Sequence, residues 1–193
     1  MRVLVLYAHP VPESFGAAVH ATVIASLKAA GHEVDDCDLY AEGFDPLLSR
    51  EERRGYHDTA SNTLPVAGYV ERVKRAEALV LCFPVWNFGY PAMLKGFFDR
   101  VFLPGVSFDL AGGKVTPALG NIRKLAAVTT YGASRWTAFL MGDPPRRLVR
   151  RALRAVCHPL ARTLYLAHYD MNRATPESRA AFLQKVAAKV AVF

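Results

Sequence analysis

Two short stretches of unbroken apolar residues, 3–8 (VLVLYA) and 78–83 (ALVLCF), constrain the fold of this chain more than any other feature. A strand with one face in water alternates apolar and polar side chains, whereas an unbroken apolar run is typical of a strand covered on both faces. Such strands occur in parallel sheets that have helices on either side. The two runs therefore predict an α/β protein, and the first is interpreted as a buried strand, not a signal peptide.

Helical spacing and turn residues divide the rest of the chain into further elements. Ser14 is a typical N-cap and Gly31 a typical residue just past a helix end, so a helix is predicted between them. A polar segment, 43–65, is predicted to contain a short helix beginning at Ser49. The other predicted elements are strands at 33–39, 125–130 and 163–168, helices at 66–76, 92–102, 144–156 and 176–193, and a loop-rich segment at 103–121.

Five predicted strands alternate with helices, and no shift in composition marks a second domain. Residues 1–193 are therefore expected to form one domain, a length that can bury a sizeable core. Because crossovers between parallel strands are right-handed, the expected fold is a three-layer α/β sandwich. Its five-stranded parallel sheet is predicted to have the order 2-1-3-4-5, one of the two common doubly wound orders.

The net charge of +7 raises the question of nucleic acid binding. Much of the excess lies in five arginines between 146 and 154, where basic and apolar residues form stripes on opposite faces of one predicted helix. The pattern favours a solvated basic face over an apolar seam, so nucleic acid is not expected as a partner. It leaves open a role near a phosphate-bearing cofactor or an acidic partner.

Cysteine and histidine usage limits the kinds of site that the chain can hold. Three cysteines, Cys37, Cys82 and Cys157, occur without a C-x-x-C pair, and the histidines lack metal-ligand spacing. Both observations argue against a disulfide framework or a metal site and fit a cytoplasmic protein. The apolar runs are far shorter than the roughly 20 residues of a membrane-spanning helix, so no span is expected.

Doubly wound sheets bind ligands at the carboxyl ends of their strands, where the strand order reverses. The loop after the first strand, 8–15, has neither G-x-G-x-x-G nor a Walker sequence, but it opens onto a helix N-terminus, which attracts anions. Ser14, the backbone of Phe15, and His9 supply hydrogen-bond donors, so a phosphate group is the predicted ligand of this loop. The alternative is that Ser14 only caps the helix and His9 lines a turn.

Two further loops, 84–91 and 130–136, are predicted at the same edge of the sheet. The first of them reads PVWNFGYP, and its aromatics, Asn and Gly suit a flat heteroaromatic ligand. A hydrophobic cover for the sheet edge, or a dimer contact, is the alternative. The segment 129–134 (TTYGAS) offers hydroxyls, and Gly132 allows close backbone approach, although many strand-to-helix turns share this composition.

These motifs, in order over residues 1–135, resemble those of the NAD(P)H:quinone reductases of the flavodoxin-like superfamily. Segment 83–102 (FPVWNFGYPAMLKGFFDRVF) is similar to the family's most recognisable stretch, a proline–aromatic loop that leads into an LKGxxDRV helix. The loop containing Ser14 looks like the family's flavin phosphate loop, and the TTxG at 129–132 resembles the loop under the flavin ring. Segment 38–46, with DLY followed by FDP, also matches.

The resemblance implies a flavodoxin-like, flavin-binding oxidoreductase. It would pass hydride from NAD(P)H through the flavin N5 atom to a quinone or similar acceptor, with no side-chain nucleophile. It also implies a homodimer with the aromatic loop near the interface. The implied cofactor is FMN or FAD, with a slight preference for FMN: Gly16 stands where FAD-binding relatives often place a polar residue, and the chain is short at its C-terminus, which leaves both open. The implied cofactor-binding residues are His9, Ser14, Phe15, Pro84, Val85, Trp86, Asn87, Phe88, Thr129, Thr130, Tyr131 and Gly132.

The acceptor site departs from the family's pattern. The best-known quinone site has a Tyr and a His shortly after the third loop, whereas segment 135–143 (RWTAFLMGD) contains neither, which leaves Tyr131 as a candidate substitute. Two other functions stay open. An electron-carrier flavodoxin is disfavoured by the Pro-rich first loop and the basic surface. A regulatory subunit that docks through the basic helix is the other alternative.

Overall fold

The computed structural model describes residues 1–111 and 113–193, which form a parallel sheet between layers of helices. The central strands end at one edge, where the predicted site loops begin. The strands of the described residues are β1 (Arg2–Tyr7), β2 (Glu33–Asp38), β3 (Ala78–Val85), β4 (Phe108–Ala111), β5 (Lys114–Pro117), β6 (Lys124–Tyr131) and β7 (Arg162–His168).

Helices and short helical turns connect these strands. Two single 3₁₀ turns, Leu64–Val66 and Met171–Arg173, precede longer helices, and a π-helical segment, Leu148–Leu153, interrupts another. The α-helices are α1 (Phe15–Ala29), α2 (Arg50–Arg54), α3 (Ala67–Arg75), α4 (Ala92–Val101), α5 (Arg135–Leu140), α6 (Pro144–Arg147), α7 (Arg154–Val156) and α8 (Pro176–Val190).

Five parallel strands form the central sheet, in the order β2-β1-β3-β6-β7. The parallel five-stranded sheet agrees with the prediction, but the predicted order 2-1-3-4-5 needs correction because two further strands precede β6. These strands, β4 and β5, pair as an antiparallel hairpin within the segment predicted to be loop-rich. Every residue of β5 is exposed, so no buried apolar pattern signals a strand there.

The side chains of β1 alternate between two hydrophobic clusters, one on each face of the sheet. Leu4 and Leu6 pack in the cluster that includes residues of α3 and α4, whereas Val3 and Val5 pack with residues of α1 and α8. Helices cover both faces of the sheet. The β1 residues that face one side and those that face the other are therefore all apolar. The result is the three-layer arrangement that the unbroken apolar run predicted.

The boundaries of α1 agree with the prediction and are determined by local interactions. The Ser14 hydroxyl oxygen accepts a hydrogen bond from the backbone N–H of Ala17 at 3.1 Å, which caps the first turn. Gly31 lies just past the helix with φ of 78°, a left-handed conformation that glycine adopts without steric cost. The cap places the first turn of α1 directly after the β1 loop.

The helix predicted at 144–156 departs from regular α geometry. Its ends are α6 and α7, and the π-helical segment between them moves side chains away from the 100° spacing. Val149 is buried, but Leu148 is 41% exposed and Ala152 is exposed as well. The predicted continuous apolar seam is therefore wrong at Leu148 and Ala152, because the π segment changes which residues face the core.

The three cysteines, Cys37, Cys82 and Cys157, are buried and free. Burial raises the pKa of the Cys157 thiol to about 11, so this group stays protonated at neutral pH and packs as a small apolar side chain. Within residues 1–111 and 113–193, no helix combines the length and the apolar character that crossing a membrane requires.

Candidate functional site

The first turn of α1 presents free hydrogen-bond donors at the carboxyl edge of the sheet. The first N–H groups of a helix have no partner within the helix, and those of Phe15 and Gly16 meet no acceptor in the described residues. The Ser14 hydroxyl uses its oxygen as the cap, which leaves its proton available to a ligand. Two N–H groups and one hydroxyl therefore form a cradle for an anion.

His9 adds a fourth donor to this cradle. Its Nδ1 atom accepts the backbone N–H of Val11 at 3.0 Å, so the ring proton of the neutral form lies on Nε2. Desolvation lowers the pKa of His9, which favours the neutral imidazole at pH 7. Gly16 leaves room for the ring, because an added Cβ would lie 3.1 Å from His9 Cδ2. The imidazole thus has one defined donor, Nε2–H.

The side chain of Phe15 has a structural role beneath the cradle. Its ring packs edge-on against His168, with ring centroids 5.6 Å apart, and also contacts Phe182 of α8. This contact joins the start of α1 to the end of β7. Phe15 therefore offers a ligand its backbone N–H, not its ring.

The loop after β3 contains a tight reversal with an unusual residue. Asn87 and Phe88 have φ of 49° and 56°, and the backbones of Trp86 and Gly89 bond to each other on either side. This is a type I′ turn, in which the second central position normally carries glycine. The turn raises the exposed Trp86 ring next to His9, with ring centroids 6.0 Å apart, so the first and second loops meet.

Phe88→Gly is expected to stabilise the fold by about 1 kcal/mol, since a non-glycine residue in the left-handed region costs roughly 1–2 kcal/mol. The Phe88 ring belongs to neither hydrophobic cluster, so little packing is lost. Urea unfolding measures the change. Asn87→Gly is the matched control and should gain less, because asparagine tolerates this conformation. A destabilised Phe88→Gly protein would show that the ring is held by contacts that outweigh the strain.

The loop after β6 divides into buried and accessible residues. Thr129 and Tyr131 are each 1% exposed, whereas Thr130 is half-buried and Gly132 is exposed. Asn172 lies over Gly132, where an added Cβ would approach its Nδ2 atom to 3.6 Å. Thr130 and the backbone around Gly132 are therefore the parts of this loop that a ligand can reach.

The Tyr131 hydroxyl is engaged in an internal network. It donates to Asp143 Oδ1 at 2.6 Å and lies 2.6 Å from the Tyr165 hydroxyl. Burial is the main cause that raises the pKa of Tyr131 far above its ordinary value, and the neighbouring Tyr165 and Asp143 add to it. The interpretation of Tyr131 as a substitute proton donor to an acceptor is therefore not supported, because its proton is held by Asp143.

The three predicted loops follow neighbouring strands, β1, β3 and β6. Adjacent strands lie about 4.8 Å apart, so the loops together span roughly 10 Å. Among the predicted residues, Pro84, Thr129 and Tyr131 are buried, and the other side chains are half-buried or exposed: His9, Ser14, Phe15, Val85, Trp86, Asn87, Phe88 and Thr130. The fold thus places an anion cradle, an aromatic turn and a small-residue loop side by side.

Three buried polar atoms at this edge lack hydrogen-bond partners within the described residues. They are the Tyr7 hydroxyl, Thr129 Oγ1 and His168 Nδ1. Unpaired polar atoms are costly in a protein interior, so their occurrence in strands at this edge fits a site that a polar ligand completes. Sequence reasoning missed Tyr7 and His168, although each is the last residue of its strand, which is a signal that could have found them.

Comparisons with known proteins agree with this arrangement. A profile of the flavodoxin-2 family, described as having a flavodoxin-like fold, matches residues 1–190. NAD(P)H dehydrogenase (quinone) 1 of Rattus norvegicus is 30% identical over 148 residues, which cover 68% of this chain and 54% of that protein. The human ribosyldihydronicotinamide dehydrogenase (quinone) is 30% identical over 149 residues, covering 69% of this chain and 64% of the relative. The chain thus spans a little over half of the curated relatives' length.

Solved structures match over the whole chain. Smu.1420 from Streptococcus mutans has a TM-score of 0.87 and 28% identity, with full coverage of both chains. The NAD(P)H:quinone oxidoreductase from Methanothermobacter marburgensis has a TM-score of 0.85 and 25% identity, covering 99% of this chain and 98% of that one. With the sequence match over residues 1–190 and the shared architecture, the chain belongs to the flavodoxin-2 family.

Proposed function

We propose that residues 1–193 form a single flavin-binding domain that oxidises NAD(P)H and reduces a quinone or similar acceptor. The observation that carries this proposal is the anion cradle at the start of α1, next to the exposed aromatic turn after β3. A flavin nucleotide joins a phosphate to a flat ring system, which is the pair of groups that these two features accommodate. The names of the rat and Methanothermobacter relatives support NAD(P)H and quinone as substrates.

Each part of the site has a proposed role. His9 Nε2, the Ser14 hydroxyl and the N–H groups of Phe15 and Gly16 would hold the flavin phosphate. The backbone of 84–88, with the Trp86 and Phe88 rings, and the loop 129–132 would hold the ring system. FMN is the proposed cofactor, because Gly16 provides no side chain for the adenosine half of FAD.

When bound, the flavin supplies the redox chemistry, accepting hydride from NAD(P)H and delivering it to the acceptor. The loops after β1, β3 and β6 would hold the ring at the carboxyl edge of the sheet. The neutral His9 and the α1 N–H groups would stabilise the phosphate charge through hydrogen bonds and the helix dipole. The Tyr131 hydroxyl is not free to act as an acid at the ring edge, since its proton is bonded to Asp143. We therefore assign no catalytic side chain.

Ser14→Asp tests the cradle without disturbing the helix. Aspartate is as good an N-cap as serine, so stability should be retained. Its carboxylate would face the phosphate and replace a donor with a negative charge. We expect FMN affinity to fall about 10- to 100-fold, the range for a hydrogen bond to a charged group.

Riboflavin, which lacks the phosphate, is the matched control ligand. Its binding to the Ser14→Asp protein should change little, and quenching of flavin fluorescence measures both ligands. Equal losses for FMN and riboflavin would mean that the loop does not hold the phosphate. A wild-type protein that is colourless and quenches no flavin would overturn the proposed function itself.

Turnover separates the reductase from the other functions. The flavin-loaded protein is expected to oxidise NAD(P)H in the presence of a quinone, as followed by the loss of nicotinamide absorbance. Flavin binding without NAD(P)H oxidation would favour an electron carrier or a regulatory subunit. Chromatography of the acid-released flavin distinguishes FMN from FAD.

We also propose that the chain forms a homodimer. Trp136 and Phe139 on α5 are 66% and 68% exposed, and Leu140 and Met141 beside them are more than half exposed. Contiguous apolar surface of this kind is typical of protein–protein interfaces. Light scattering after gel filtration measures the mass in solution, and a monomer at micromolar concentration would contradict the proposal.

A further inference from the structure

A cavity beside the third site loop is lined by arginines. Its volume is about 230 Å³, and it lies between the start of α5, the turn at 142–143 and the residue that follows β7. The backbone N–H of Asp170 bonds to the Ala133 carbonyl at 2.9 Å, which joins this wall to the loop containing Gly132. The side chains that shape it are Arg135, Phe139, Asp143, Arg146, Arg147 and Tyr169.

Positive charge exceeds negative charge in this cavity. Three guanidinium groups share one carboxylate, Asp143, which already accepts the Tyr131 hydroxyl at 2.6 Å. Arg146 Nε lies 3.7 Å from Asp143 Oδ2, too far for a hydrogen bond. Arg135 and Arg147 form no ion pair with any carboxylate in the described residues. The cavity lining therefore carries more positive charge than the single Asp143 carboxylate can balance.

Arg146 is half-buried, whereas Arg135 and Arg147 are exposed, but Arg146 and Arg147 make defined contacts at the cavity. The Arg146 guanidinium lies over the Tyr165 ring, 5.0 Å from its centroid, and its Nε atom is buried without a hydrogen-bond partner in the described chain. The Arg147 guanidinium lies against Gly142, where an added Cβ would approach Nη1 to 3.4 Å. Gly142 has φ of 79°, so glycine suits both its conformation and this close approach. Arg150 and Arg151 of the same predicted basic face do not line the cavity.

Tyr169 contributes a neutral hydroxyl to the cavity lining. Its ring packs on Tyr131 with centroids 4.7 Å apart, and burial raises the pKa of Tyr169, so the hydroxyl stays protonated at neutral pH. Planar guanidinium groups with a phenol donor match the oxygen atoms of a phosphate, sulfonate or carboxylate.

We propose that this cavity, the arginine pocket, is a subsite for an acidic group on one of the two substrates that react at the flavin. The proposal rests on the proposed function for its substrates, but not for the pocket's affinity for anions. Two sources share the chemistry: the 2′-phosphate that distinguishes NADPH from NADH, and an acidic substituent on the acceptor. Specificity would come from the guanidinium groups, because binding an anion there relieves their mutual repulsion.

The direct test uses inorganic phosphate as the probe and calorimetry as the readout. Wild-type protein loaded with FMN, in which the α1 cradle is filled, is compared with Arg135→Gln/Arg147→Gln. The double variant is expected to lose phosphate affinity about 10-fold or more. Arg150→Gln/Arg151→Gln removes the same charge outside the pocket and should keep wild-type affinity. Equal losses in both double variants, or none in the first, would overturn the proposal.

This measurement also distinguishes failure of the pocket from failure of the proposed function. If the protein binds no flavin, the Ser14→Asp background removes the α1 cradle instead, and the same pair of double variants is compared. Phosphate binding that depends on Arg135 and Arg147 then supports the pocket even though the flavin proposal has failed. If the protein binds flavin but its phosphate affinity does not depend on these arginines, the pocket is refuted and the proposed function is not.

Steady-state kinetics distinguish the two sources of the anion. If the pocket holds the 2′-phosphate, Arg135→Gln/Arg147→Gln raises KM for NADPH about 10-fold or more and leaves KM for NADH and kcat nearly unchanged. If it holds an acceptor group, KM rises for a sulfonated naphthoquinone and not for the neutral naphthoquinone. Equal changes for charged and neutral substrates, or no change for any, would exclude the subsite.

Discussion

Gly96→Ala is expected to destabilise the protein by about 3 kcal/mol or more, a large fraction of the roughly 5–15 kcal/mol that stabilises an ordinary domain. Gly96 is buried in α4 and faces the segment that contains Pro46. An added Cβ would overlap the Pro46 carbonyl oxygen and lie 2.5 Å from Pro46 Cα, inside the normal contact of about 3.5–4.0 Å. Backbone atoms cannot rotate away as a flexible side chain can, so α4 and the segment would have to separate.

Gly68→Ala provides the matched control in another helix. Gly68 lies inside α3, and an added Cβ would meet nothing within 4 Å. Alanine has a higher helix propensity than glycine, so this change should stabilise the protein by roughly 0.5–1 kcal/mol. Urea unfolding followed by circular dichroism measures both variants. A cost below about 1 kcal/mol for Gly96→Ala would show that α4 shifts easily and that the close approach to Pro46 is not needed.

Arg100→Ala is expected to cost about 3–5 kcal/mol, since it leaves a buried carboxylate without its partner. Arg100 donates to Glu52 Oε1 from Nη2 at 2.6 Å and from Nε at 2.9 Å, and also to the carbonyl oxygen of Asp45. The two side chains are 11% and 14% exposed, so water reaches the Glu52 carboxylate poorly. Glu52 also closes the capping box of α2 with Ser49, and the variant should loosen that helix.

The comparison for Arg100 is an ion pair on the same helix. Lys95 bonds to Asp99 one turn along α4, but these side chains are 60% and 43% exposed. Exposed pairs of this kind contribute about 0.3–0.5 kcal/mol, so Lys95→Ala should change the free energy of unfolding by no more than that. If both variants lost the same small amount, the Arg100–Glu52 pair would be no stronger than a surface pair.

The pH dependence of stability tests the same pair. Burial by itself raises the pKa of Glu52, but hydrogen bonds from Ser49 and Arg100 outweigh it, so the pKa lies below its ordinary value. A lowered pKa contributes stability above the unfolded-state pKa and loses it as the pH falls through the folded-state value. The difference in unfolding free energy between wild type and Arg100→Ala should therefore shrink on acidification, and a constant difference would contradict the assignment.

These two residues clarify what the LKGxxDRV segment does. Its glycine allows the close approach of α4 to Pro46, and its arginine pairs with Glu52, so both hold the 44–52 segment against the helix. Phe44 packs against Phe97 of the same helix, with ring centroids 5.5 Å apart. The LKGxxDRV segment, which most clearly identified the family, therefore mainly packs α4 against the 44–52 segment. Only the loop before it belongs to the candidate site.

Features with local causes were predictable from the sequence. The β1 strand follows from an unbroken apolar run, and the ends of α1 follow from a capping serine and a left-handed glycine. The anion cradle follows from the same cap, since the first N–H groups of a helix are free whatever packs around them. In each case the interactions lie within a few residues of one another, so the sequence contains the whole cause.

Other features depend on residues that are distant in the chain, and only the tertiary structure decided them. The sequence predicts that Tyr131 is an accessible loop residue. The pairing of β6 with β7 instead places its hydroxyl 2.6 Å from that of Tyr165, where a ligand at the candidate site does not reach it. The basic helix reads as a solvated face, yet Arg146 and Arg147 line a cavity because the segment after β7 folds back beside the Gly132 loop. The sequence alone determined the layers and the cradle, whereas long-range packing determined which polar groups remain free to bind a ligand.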